Sequence, residues 1–139
     1  MSIQENNILI AEFMKVRYNE RVGLAYMEKP SMMLRLDELR FHSSIDWLSP
    51  VMDKVEEVLF SKAKETMKGD DIYKATLIPT VRWSLFQWSG HNPYWTEIKV
   101  LDTKEDAYIL NIGLHGDTRI EAIYKAIIEF IEWYNNHYK

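Results

Sequence analysis

The sequence contains no cysteine. That excludes disulfides, thiolate nucleophiles and zinc–thiolate sites together, and it suits a reducing compartment. It has no excess of basic residues either. The formal net charge is −4, which argues against a general binder of phosphate backbones, since such a protein needs a positive field. No apolar run is long enough to cross a membrane. The first seven residues, Met1 to Asn7, are polar and lack a basic segment followed by an apolar one, so no signal peptide is expected and the expected location is cytoplasmic. No repeat, low-complexity tract or linker interrupts the chain, so residues 1–139 read as a single domain. No catalytic motif stands out, and the sequence alone does not name an activity.

What is present is a globular composition. Of 139 residues, 47% are apolar and 13% aromatic, with five Trp and eight Tyr. So many rings do not all fit one small core, and rings left at a surface are common in binding patches.

Hydrophobic spacing supplies most of the fold. Ile3, Ile8, Ala11 and Met14, widened by Leu9, Ile10 and Phe13, predict a first helix ending near Val16, with Gln4, Glu5, Asn7 and Glu12 on the wet side. Residues 22–42 read less clearly. Val22, Leu24 and Tyr26 alternate as in a strand, Glu28 to Ser31 signals a turn, and the pairs Leu34/Leu36 and Leu39/Phe41 differ in phase, which asks for a bulge near Asp37–Glu38 or two short elements. A second helix begins at Pro50 with Ser49 as cap, or a short first turn capped by Ser43 and Ser44 meets the main helix at an angle; Val51, Val55, Val58 and Leu59 make its stripe, and Gly69 is a stop. Strands are expected through Tyr73–Ile78, from Val81, around Ile98–Val100 and from Tyr108 to Leu114, the last three joined as an antiparallel meander. Thr118 to Glu121 matches a capping box, and Ile120, Ile123, Tyr124, Ile127, Phe130, Ile131 and Tyr134 form the broad stripe of a final helix.

Three segments carry a resemblance. Leu9 to Met14, Phe41 to Val51, and Ile120 to Asn135, in that order, resemble a family of small uncharacterised phage and prophage proteins of gut Bacteroidetes, loosely related to the phage ABA-sandwich domain. They cover about a quarter of the chain. Ile45 stands where that family usually has Trp, and Ser49 where it usually has Met; residues 70–115 match nothing nameable. The resemblance implies an α/β sandwich and a phage origin, and no activity, because none is generally assigned to the family.

Two constellations are candidate sites. His42, Ser43, Ser44, Asp46 and Trp47 place a base, hydroxyls and a carboxylate at a strand-to-helix junction, where helix amides can hold an anion. Capping, dipole compensation and local packing account for the same spacing. The second is aromatic. Trp83, Phe86, Trp88, Tyr94 and Trp95 crowd the loop at Ser89–Pro93, which also holds His91. Trp83 is assigned to the core; Trp88 and Trp95 are assigned to a surface that anchors a protein partner or stacks bases. His91 and His115 lack a second ligand at metal-site spacing, and Gly113-Leu114-His115-Gly116 reads as turn geometry.

The expectation is therefore an α+β chain: an α/β sandwich with a mainly antiparallel sheet, its C-terminal three-strand meander packed by N-terminal, central and C-terminal helices. The functional expectation is a non-catalytic phage or prophage accessory protein that binds another protein through a surface drawn from Trp88, His91, Tyr94, Trp95, His42, Asp46 and Trp47. A small-ligand binder, nucleotide-like in its ligand, is the alternative, with no cofactor expected and an enzyme disfavoured. Nucleic acid and membrane are not expected partners; apolar helix faces and unpaired strand edges admit a homodimer.

Overall fold

The computed structural model describes residues 2–19, 21, 23–28, 31–65, 77–86 and 93–138. The described residues form an α+β sandwich of three helices and two antiparallel three-stranded sheets. Helix α1 (Ile3–Phe13) leads into β1 (Arg17–Asn19), β2 (Leu24–Glu28) and β3 (Ser31–Arg35), which form the first sheet. A 3-10 turn over Leu36–Glu38 follows, then helix α2 (Ile45–Glu65). Strands β4 (Leu77–Phe86), β5 (Tyr94–Asp102) and β6 (Ala107–Gly116) make the second sheet, and helix α3 (Arg119–Tyr138) closes the chain. No helix among the described residues is long and apolar enough to cross a membrane.

Both ends of α1 are locally specified. Ser2 caps the start, its Oγ accepting from the Glu5 amide at 3.1 Å. At the other end the Val16 amide reaches back to the Ala11 carbonyl and the Lys15 amide to that of Glu12. This double closure needs a left-handed residue after the cap, and Lys15 supplies it at φ 60° where glycine is usual. The helix therefore stops at Phe13, short of Val16.

The phase change between Leu34/Leu36 and Leu39/Phe41 is resolved by the 3-10 turn rather than a bulge: Leu36 at its start and Leu39 and Phe41 after it are all buried. Helix α2 starts at Ile45 and runs through Pro50. Pro50 deprives the Asp46 carbonyl of its helical donor, but both residues are exposed, so water can serve that carbonyl. The stop expected at Gly69 and the first four residues of the strand expected at Tyr73–Ile78 lie outside the described residues.

Helix α3 is apolar over most of its circumference because it is covered on two sides. It packs on all three strands of the second sheet and against α1 and α2, with Ile123, Ile127, Phe130 and Ile131 essentially inaccessible. Its start holds the expected box in a stretched form: Thr118 Oγ1 accepts from the Glu121 amide at 3.1 Å, and Glu121 Oε2 accepts from Asp117, one residue further back.

Candidate binding face

Strand alternation divides the second sheet cleanly. Ile98, Val100, Leu110 and Ile112 turn toward the helices and are buried. The opposite face carries no helix among the described residues. Registry arranges it in four cross-strand rows: Ile78–Leu101–Tyr108, Thr80–Lys99–Asn111, Arg82–Glu97–Gly113 and Leu85–Trp95–His115. The two end rows are apolar or aromatic, and the middle rows are polar. Ile78, Leu85 and Tyr108 are exposed by 46%, 40% and 53%, well beyond what a sheet core tolerates.

The Trp95 row is the best defined. The indole lies against the His115 imidazole, with ring centroids 4.4 Å apart. It also lies across Gly113, where a Cβ would overlap its Cζ2 and Cη2 atoms. Gly113 is thus a close-approach glycine, and the turn reading of Gly113 to Gly116 gives way to a position in mid-strand. In the middle rows Lys99 Nζ stands 3.7 Å from Glu97 Oε1 and 5.7 Å from the Tyr108 ring centre, so this charge is locally compensated.

A bulge tunes the edge of this face. Register shifts between Arg82 and Leu85, and Ser84 adopts φ 47°. The buried Thr96 hydroxyl accepts the Ser84 amide at 3.1 Å, so the irregularity leaves no orphaned donor there. Trp83 stays on the helix side, half-buried, with Nε1 donating to Glu56 Oε1 of α2 at 2.8 Å.

The expected site residues separate. Tyr94 and Trp95 are neighbours in β5 and so face opposite ways; Tyr94 meets the Phe86 ring at 5.8 Å instead. Trp88 and His91 lie outside the described residues. His42 lies in the turn before α2, and Asp46 and Trp47 in its first turn, so none of the three belongs to the second sheet. Asp46 is exposed in the first turn of α2. Trp47 packs edge-on against Phe41 at 5.2 Å.

His42 belongs to a buried hydrogen-bond cluster centred on Asn7. The expected wet-side position of Asn7 is overturned: it is 2% exposed, because α1 is pressed against both α3 and the turn before α2. Asn7 Nδ2 donates to the Leu39 carbonyl at 3.0 Å and to His42 Nδ1 at 2.9 Å, while Oδ1 accepts from the Tyr124 hydroxyl at 3.1 Å. The Leu39 carbonyl fixes the amide orientation, so His42 Nδ1 is the acceptor. Burial pushes the Tyr124 hydroxyl up to about 12, with hydrogen bonding from Asn6 pulling the other way. Every polar atom of the Asn7 side chain is used, which is the chemistry of a structural clasp between α1, α3 and the 39–42 turn.

Beside the clasp, Asn6, Leu114, Tyr124, Lys125, Ile128 and Glu129 line a cleft of about 210 Å³. Among the described residues no three His, Asp or Glu side chains gather in a way that could hold a metal ion. No protein-family model, curated protein or solved structure matches the chain.

Proposed function

We propose that this chain is a non-catalytic accessory protein of a phage or prophage and acts by binding a host or phage protein through the open face of its second sheet. The carrying observation is the Leu85–Trp95–His115 row: a half-buried indole, braced by an imidazole and a glycine, on a face that nothing else in the described chain covers. A large ring with little rotational freedom left to lose is the kind of group that anchors protein interfaces. The phage attribution rests on the three-segment resemblance, and the working place that goes with it is the host cytoplasm.

The test is quantitative capture from a lysate of a gut Bacteroidetes host. A specific partner is expected with the wild-type chain and a loss of tenfold or more with Trp95→Ala, on the order of a 2 kcal/mol anchor. Equal recovery by both chains removes the face from the account.

A second reading, a small-ligand binder, draws on the cleft beside Tyr124. Its volume, about 210 Å³, falls below the roughly 300–1,000 Å³ usual for ligand pockets. Its one cation, Lys125, is held by Glu121 at 2.7 Å. Both facts favour the protein-binding reading. A melting-temperature rise with any of a panel of nucleotides would reverse that preference.

A further inference from the structure

Among the described residues, the two three-stranded sheets have four edges, and three of these are guarded. β1 has three residues and β3 five. β4 carries Pro79, which has no amide proton to donate, the exposed Arg82, and the bulge at Ser84. Shortness, proline, charge and bulges are the devices that keep an edge from pairing with another chain.

β6 is different. Its ten residues contain no Lys, Arg, Asp, Glu or Pro. β5 flanks it on one side, and among the described residues no strand flanks it on the other. It has one irregularity: Ile109 is left over between the pairs Leu101↔Tyr108 and Val100↔Leu110. That bulge lies near one end, and Leu110–Gly116 continues in unbroken register with β5.

We infer that β6 pairs antiparallel with the β6 of a second copy, joining two meanders into one six-stranded sheet. Closure singles out a second copy as the occupant. Once the two β6 strands pair, both outer edges of the combined sheet are β4, the guarded one, so growth stops at two. Charge points the same way. Each chain carries a net −4, and the uncharged β6 is where two copies can meet without setting like charges opposite each other.

A two-fold axis at Gly113 gives a consistent register. Ile112 then faces the partner's Leu114 on the helix side, and Asn111 faces the partner's His115 on the open side. Leu114 already lines the cleft with Ile128, so the partner's Ile112 arrives next to apolar surface. The axis runs perpendicular to the sheet, so both open faces look the same way and the dimer presents two Trp95 rows on one surface. The pairing extends the proposed binding face without depending on it.

Sedimentation equilibrium of the full chain tests the inference. The wild type should show twice the chain mass, and Asn111→Lys a single chain mass with unchanged far-UV circular dichroism. A wild-type chain that stays at single mass at every concentration overturns the inference, as does an Asn111→Lys chain that stays doubled. Should Asn111→Lys unfold, the absence of native cysteine permits a second test. Asn111→Cys and His115→Cys chains, oxidised as a mixture, should give several-fold more disulfide-linked dimer than either alone, since opposed residues lie within disulfide reach; equal yields overturn the pairing. Trp95→Ala should leave the mass doubled, so failure of the binding face and failure of the dimer are read separately.

Discussion

Trp95 of β5 leans diagonally over Gly113 of β6, one cross-strand row away, and the indole occupies the space a side chain at Gly113 would need. Gly113→Ala should therefore move the ring rather than unfold the sheet, because the obstructing atoms are the far end of a partly exposed side chain. The expected outcome is a changed tryptophan emission spectrum and weakened partner capture, with stability lowered by less than about 1 kcal/mol. Chemical denaturation and fluorescence on the same variant check both parts.

The Asn7 clasp predicts a large effect from a small change. Asn7→Ala removes the partner of the Leu39 carbonyl, of His42 and of Tyr124 together. Leaving buried polar groups unpaired should cost about 2–4 kcal/mol. Gln4→Ala, on the exposed side of the same helix, should stay within about 0.5 kcal/mol. Urea unfolding of the two variants gives the comparison.

Tyr124 predicts a pH dependence with a definite sign. Its hydroxyl ionises near 10 when unfolded and at about 12 when folded. Between those values the native state keeps a proton that the unfolded state gives up, so stability falls as pH rises. The contribution is fully present below about pH 10 and is lost on passing about 12. Tyr124→Phe should show a shallower decline over that window in denaturation curves. Parallel slopes for the two chains would contradict the assignment.

Lys15 holds a left-handed conformation at φ 60° to end α1. It also sets a second positive charge near Lys54, whose ammonium is lowered first by burial and then by Lys15. Lys15→Gly should relieve both and stabilise the chain by about 0.5–1 kcal/mol, measured as a rise in melting temperature. Glycine's greater freedom in the unfolded chain is what keeps the gain small.

These residues also show what periodicity can and cannot reveal. The stripe from Ile120 to Tyr134 declared α3, and alternation from Ile98 to Leu114 declared the meander, because burial on one side of a regular element repeats with its geometry. Asn7 carried no such mark. A buried amide looks like a wet one until α3 and the 39–42 turn close around it. Lys15 concealed a helix terminator because the signal sought there is glycine. Pro50 suggested a helix start but lies inside α2, where only the exposure of that face explains its tolerance. The aromatic cluster was visible as composition, yet the brace of Trp95 by Gly113 and His115 depends on pairing between two separate strands.

The proposed binding reaction places the open face, and not the helix side, against the partner. A photo-crosslinking amino acid at Leu85 on that face, and another at Glu129 on the exposed side of α3, put it to the most direct test in a lysate where capture succeeds. A crosslinked partner is expected from position 85 and none from position 129. Crosslinks from position 129 alone would contradict it.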